Sequence, residues 1–264
     1  MFHETLTADD WAAAPAGEIR ETAQADGSVL VVPVGSIEQH GDHLPVATDT
    51  ILVDAVVHGG VEALDDLPVL VTPPVWSGFS PHHLPFGGTL SLEFAHLQAL
   101  LEDVAHTGVE NGFDAVCFVN GHGGNISLID AVVSTVGVET DAEVLGLTYF
   151  QLATDAIESL RESETGGMAH GGEFETSLML ALCPDLVADI GERPAELWDE
   201  HYQWGGRDLL EGGPLAVYRG FDEYSASGAI GAPDLASAEK GERFYDILTE
   251  ELAVLLTAVS EYNR

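Results

Sequence analysis

The sequence predicts an α/β fold built around a mainly parallel sheet, and three observations point to it. Short apolar, β-branched runs stand at residues 28–34, 69–72, 115–119 and 144–150, as expected for strands covered on both faces. Segments with helical apolar spacing lie between them, so strands and helices alternate. Two of the runs open directly into glycine-framed loops dense in histidine and carboxylate, and ligands of such sheets bind beyond the carboxyl ends of the strands. The 264 residues show no internal repeat, low-complexity segment or linker, so a single domain over 1–264 is expected.

Residues 1–27 read as a polar approach with a surface helix over about 8–18, and residues 28–34 as the first strand. That strand delivers the stretch 34–50, V-G-S-I-E-Q-H-G-D-H-L-P-V-A-T-D-T, in which Glu38, His40, Asp42, His43 and Asp49 crowd between glycines and a proline. Asp49 or Thr50 is placed to cap a helix running to about residue 64, its second half weakened by Gly59 and Gly60. The second strand, 69–72, is stopped by Pro73 and Pro74. Residues 76–92 are too rich in Gly, Pro and aromatics for regular structure and too long for a mere connector, which marks a functional loop. A helix over about 91–110 follows, with Phe94, Leu97, Leu101, Val104 and Val109 on its apolar spacing and Gly112 at its end. The third strand opens into N-G-H-G-G-N, where Asn125 is expected to cap a helix carrying Ile126, Ile129, Val132 and Val133. After the fourth strand, 158–167 is polar, and H-G-G-E-F-E-T-S-L-M-L-A-L turns helical at Phe174. Residues 190–235 read as irregular, and a last helix over about 237–259 carries Phe244, Ile247, Leu248, Leu252 and Leu255 on one stripe.

Asp and Glu number 45 against 8 Lys and Arg, a net charge of -37, and Lys240 is the only lysine. The acids are spread along a chain of ordinary apolar content, 45%, which excludes disorder and implies a folded protein with an acidic surface. Such self-repulsion opposes compaction in dilute buffer and is screened in molar salt, where the Debye length falls to about 3 Å. The expectation is a cytoplasmic protein of a salt-accumulating halophile; loss of structure in molar KCl, with retention in dilute buffer, would contradict it. Nucleic acid is excluded as a partner for want of a basic face. No signal peptide or membrane-spanning run is apparent. Cys117 and Cys183 lack a C-x-x-C partner and read as free thiols.

Glu38 and His40 are two apart and point the same way from an extended segment, while Asp49 can return to that point from a helix start. His122 arrives from a different strand. Carboxylates mixed with imidazoles, without thiolates, suit Zn, Mn or Fe, and a bridging carboxylate could hold two metals roughly 3.5–4 Å apart. Asp42 and His43 are read as neighbours of this group rather than members. Glu173 opens a helix, where the dipole favours a carboxylate, so it reads as an N-terminal acid. His170, in a glycine-flanked loop just before it, is free to act as acid, base or hydrogen-bond donor. Glu175 is either a solvated first-turn acid or a catalytic group. His3, His58 and His201 carry no such context. No G-x-S-x-G and no thiol in a polar glycine loop is present to serve as covalent nucleophile, and N-G-H-G-G-N lacks the lysine of a nucleotide-binding loop.

The motifs P-V-G-S-I-E-Q-H-G-D-H-L-P-V-A-T-D-T, F-G-G-T-L-S-L, V-N-G-H-G-G-N, H-G-G-E-F-E-T-S-L-M-L-A-L and G-A-P-D-L-A-S-A-E-K-G-E resemble, in order, the creatininase (creatinine amidohydrolase) family, over about residues 28–255. The resemblance implies a three-layer αβα sandwich with a mainly parallel sheet, a homo-oligomer (commonly a hexamer), and two divalent metals per chain that serve hydrolysis of a C–N bond in a small cyclic or linear amide. It implies that Glu38, Asp49 and His122 hold one metal, that His40 and the bridging Asp49 hold the other, and that His170 shuttles a proton during ring opening. Creatininase has a further glutamate ligand where this chain has Gly124, so Glu173 is expected to supply the missing carboxylate of the second metal. Creatininase also has a tryptophan and acidic groups where this chain has Gly166, Gly167, Met168 and Ala169, which points away from creatinine itself. A non-catalytic metal-binding protein on the same fold is the reading from another class. Among enzymes of the family, one alternative is the formamidopyrimidine-nucleotide deformylase, for which Arg161, Arg193, Arg207 and Arg219 are the candidate phosphate partners. The other is the mycofactocin-type peptidase, which usually carries arginine where Glu173 stands.

Overall fold

The computed structural model describes residues 6–190, 195–198 and 202–264, so Arg193, His3 and His201 lie outside the described residues. In chain order the regular elements are α1 (Ala16–Ala23), β1 (Val29–Val34), α2 (Thr48–Glu62), β2 (Val69–Val71), α3 (Phe94–Asn111), β3 (Ala115–Asn120), α4 (Ile126–Gly137), β4 (Glu143–Thr148), α5 (Thr154–Glu158), β5 (Met168–His170), α6 (Glu173–Leu182), β6 (Ile230–Gly231) and α7 (Ala238–Tyr262). The first four strands pair in parallel in the order β2-β1-β3-β4. Val34 sits opposite Asn120, and Asn120 opposite Thr148, so three strands end level and release their loops at one edge. A short antiparallel ribbon, β5 with β6, stands apart from the sheet.

Period-two alternation divides the strand residues between two cores. Val29, Val31, Ala115, Cys117 and Val119 pack with Leu52, Val56, Phe174, Leu178, Phe244 and Leu248 of α2, α6 and α7. Leu30, Val32, Val34, Val116 and Phe118 pack with Ile19, Leu97, Leu101, Leu128 and Val132 of α1, α3 and α4. The result is the three-layer αβα sandwich, with every residue of β1 and β3 buried.

Several local expectations shift. The first helix starts at Ala16 behind Pro15, because proline has no N–H to place inside a helix. The residues before it instead lie along β2, with Trp11 N–H donating to the Val71 carbonyl at 2.8 Å. Neither Asp49 nor Thr50 caps α2: the cap position is Ala47, and Asp49 turns its buried carboxylate inward from the first turn. Gly59 and Gly60 do not fray this helix. A Cβ there would stand 2.3 Å from Tyr245 Oη and 2.9 Å from Leu252 Cδ2, so the glycines let α7 approach α2 closely. Asn125 stands at the cap position of α4, but its side chain makes no cap bond and ties the 76–92 loop to the end of β1 instead; its Oδ1 accepts from Phe79 N–H at 2.9 Å and its Nδ2 donates to the Gly35 carbonyl at 3.1 Å. Within that loop, Pro81–Phe86 forms a 3-10 turn.

Candidate metal centre

Glu38, His40, Asp49, His122 and Glu175 converge at the carboxyl edge of β1 and β3, and all are buried. Three overlapping groups have ligand atoms within 4.8 Å of one another: Glu38, Asp49 and His122; His40, Asp49 and Glu175; and Glu38, His40 and His170. Asp49 belongs to the first two, with Oδ1 3.0 Å from His40 Nε2 and Oδ2 3.2 Å from His122 Nδ1. Glu38 Oε2 lies 3.0 Å from His122 Nδ1, and Glu175 Oε1 lies 3.8 Å from His40 Nε2.

Backbone carbonyls set which imidazole nitrogen faces the carboxylates. His40 Nδ1–H donates to the Glu38 carbonyl at 3.0 Å, and His122 Nε2–H to the Phe79 carbonyl at 3.2 Å, with Ser80 Oγ 3.0 Å away. A carbonyl only accepts, so in the neutral rings His40 Nε2 and His122 Nδ1 carry lone pairs aimed at carboxylate oxygens. Lone pair against carboxylate is repulsive unless a proton or a metal ion stands between them. Without metal, protons fill that role. Burial opposes charge on His40, but Asp49 beside it raises its pKa to about 10. Glu38 and Asp49 likewise raise His122 well above the ordinary imidazole value against the effect of burial. Burial alone would raise Glu38, yet His122 and His83 hold it well below the carboxylate range. Asp49 Oδ2 is buried with no hydrogen-bond donor aligned on it. Imidazoles oriented by carbonyls, with their other nitrogens turned to carboxylates, form the donor set of a divalent metal.

Glu173 joins none of these groups. Its carboxylate accepts from Lys240 Nζ at 2.6 Å and from the Ser163 N–H at 2.8 Å, tying α6 to α7 and to the loop before β5. Residues two apart on a helix face nearly opposite ways, so the turn that aims Glu175 at His40 aims Glu173 away. The carboxylate beside His40 and Asp49 is therefore Glu175, which is buried rather than solvated. Burial raises Glu175 to about 7. Of the loop neighbours, His43 Nε2 lies 3.0 Å from both the Gly171 carbonyl and Thr176 Oγ1, and Asp42 is exposed.

His170 packs against His40, ring centroids 4.2 Å apart and planes tilted by 35°, and donates from Nε2 to the Gln39 carbonyl at 2.6 Å. Its Nδ1 therefore faces inward, 3.7 Å from Glu38 Oε1. Burial, reinforced by His40 and His83, lowers its pKa well below the ordinary imidazole value.

Sequence reasoning left out His83 and Gln39. The Gln39 amide is oriented by Gly41 N–H at Oε1 (2.9 Å) and by the Gly228 carbonyl at Nε2 (2.9 Å), and it donates to His83 Nδ1 at 2.9 Å. His83 Nε2–H is thereby committed to Glu38 Oε1, 3.1 Å away. The only signal for His83 was the length of the 76–92 loop, and for Gln39 its place between Glu38 and His40. The groups open into a cavity of ≈ 330 Å³ walled by Trp198, Tyr218, Phe221 and Tyr224, with Gly123 and Gly124 beside His122.

A parallel α/β sheet with a buried carboxylate–imidazole cluster at its carboxyl edge defines the class: an open α/β sandwich carrying a candidate metal-binding centre. The family model for creatininase (creatinine amidohydrolase) matches residues 14–256, and the chain belongs to that family, a class of C–N hydrolases. A mycofactocin precursor peptide peptidase of Mycolicibacterium smegmatis is 34% identical over 82% of this chain and 79% of its own length. A creatinine amidohydrolase of Pseudomonas putida is 29% identical over 89% of this chain and 91% of its own. A solved manganese creatininase superposes with a TM-score of 0.81 at 27% identity, covering 97% of this chain and 99% of the other. Among the described residues, no helix is long and apolar enough to cross a membrane.

Proposed function

We propose that the chain is a metal-dependent amidohydrolase that cleaves a C–N bond of a small cyclic amide or formamide with two divalent metals per chain. The observation that carries this reading is the pair of imidazole lone pairs, His40 Nε2 and His122 Nδ1, held against three buried carboxylates with Asp49 between them. Glu38, Asp49 and His122 would hold one metal, and His40, Asp49 and Glu175 the other. Zn, Mn or Fe, once bound there, would acidify a water and polarise the scissile carbonyl. The chain's own residues supply the rest. His83 and Ser36 donate to Glu38 and fix its carboxylate plane, the serine at 2.9 Å. His170 is neutral at rest with its lone pair at Nδ1, so it takes a proton there and passes it to the leaving nitrogen. The aromatic wall above the centre excludes water from the reacting groups.

A second reading has its own support. The M. smegmatis peptide peptidase is more identical to this chain than the P. putida creatinine amidohydrolase, 34% against 29%, which favours a peptide as substrate. The same centre would serve either amide. Asp49→Ala should abolish both metal retention, counted by elemental analysis, and hydrolysis in a screen of creatinine, formamides and short peptides. Full activity in that variant would refute the two-metal reading.

A further inference from the structure

His40, His83, His122 and His170 each hold hydrogen bonds within the chain. His82 differs. It lines the cavity, yet among the described residues it makes ring contacts and no hydrogen bond. Its ring lies parallel to that of His122, centroids 5.7 Å apart with 4° between the planes. Phe221 packs against it at 4.8 Å and His83 at 4.3 Å. The 3-10 turn with Pro81 at its start and Pro85 inside it stiffens the backbone that carries the ring.

The ring also occupies a particular space. A Cβ on Gly124 would stand 3.0 Å from His82 Cε1, 2.4 Å from His122 Nε2 and 2.5 Å from the Phe79 carbonyl oxygen. A side chain at 124 would meet His122 and the Phe79 carbonyl first and would also crowd the observed position of His82. The polar group that this wall presents to a ligand comes from residue 82 instead.

We propose that His82 is a substrate-binding residue, seated in the space Gly124 leaves open, whose imidazole hydrogen-bonds a neutral amide adjacent to the scissile bond. A neutral imidazole offers one N–H and one lone pair, and an amide offers the matching carbonyl and N–H. The remaining polar lining argues for a neutral partner, since Glu38, Asp49 and Glu175 belong to the metal centre and Asp208 is paired with Arg161 at 2.7 Å. Arg219, which also lines the cavity, is paired with Glu223, 3.4 Å away. The proposal rests on the metal-centre reading above and specifies the substrate class for it: amides that carry a second amide next to the one cleaved.

The test uses the Mn-loaded protein and two hydroxamates. Acetohydroxamic acid carries a metal-binding group alone, and N-acetylglycine hydroxamate adds one amide. In the parent chain the added amide should tighten binding about tenfold by titration calorimetry, the scale of one net hydrogen bond. His82→Leu should remove that advantage and His82→Gln should keep most of it, while acetohydroxamic acid binds all three proteins alike. Should His82→Leu fail to fold, His82→Phe keeps the ring area against His122 and Phe221 and gives the same readout. An advantage that survives in the Leu or Phe variant, or is absent from the parent, overturns the assignment. Failure of acetohydroxamic acid to bind any of the proteins would instead show that the metal centre is misread, and the proposal would fall with it.

Discussion

Two clusters of buried charge lie two residues apart on α6, and they are neutralised in opposite ways. Glu173 is matched by the chain's one lysine, Lys240, at 2.6 Å, with backbone N–H groups on its remaining lone pairs. Lys240 Nζ also donates to the Leu235 carbonyl. Glu175, with Glu38 and Asp49, faces imidazoles instead of a fixed cation. The first cluster is complete as the chain folds. The second has only imidazoles against its carboxylates, the arrangement the proposed metals would complete. In so acidic a protein, a lysine placed on one buried carboxylate and withheld from three others separates structure from function.

The difference can be broken experimentally, and the largest effect should fall on stability. Lys240→Met strands Glu173 in the interior and should cost about 3–5 kcal/mol in denaturant unfolding, as loss of one partner of a buried pair does. Metal content per folded chain should not change, and a fall to zero would erase the distinction between the clusters. Next in size, Glu175→Gln should weaken metal binding by at least about tenfold while Glu173→Gln leaves it untouched. Equal effects from the two would mean that the facing of α6 is misjudged. His83→Phe removes the N–H on Glu38 Oε1 and should cost about tenfold in metal affinity, the usual effect of a partner behind a ligand.

The smallest effect per unit is that of pH. With His40 at about 10 in the metal-free protein, its proton is bound at pH 7 and metal must displace it. Affinity should therefore rise with pH, by about tenfold per unit for each proton displaced, with proton release on metal addition in a pH-stat. For stability of the metal-free chain the sign is opposite. The folded-state value lies above the ordinary 6.5, so that contribution is whole below pH 6.5 and is lost as pH climbs through about 10. Metal affinity that falls between pH 6 and 8 would contradict the proton-filled centre.

Much of the architecture was legible in the chain because its determinants are local. Apolar runs buried on both faces need no partner to be recognised, and β1 and β3 stand within one residue of their expected bounds. Glycine-framed loops at the ends of those runs marked Glu38, His40, Asp49 and His122, since strand ends are where a parallel sheet presents its ligands. Other features were not local. Pattern alone gave no phase for α6 against the sheet, so Glu173 and Glu175 were distinguishable only once Lys240, 67 residues away, had taken one of them. The 3-10 turn at Pro81–Phe86 has no periodicity to read, and its two histidines separate only in the fold, where Gln39 claims His83 and the void at Gly124 receives His82. Sequence by itself determined the sheet and the donors at its edge. Tertiary structure decided which carboxylate meets the imidazoles and which meets the lysine, because a side chain's neighbours depend on helix rotation and on segments distant along the chain.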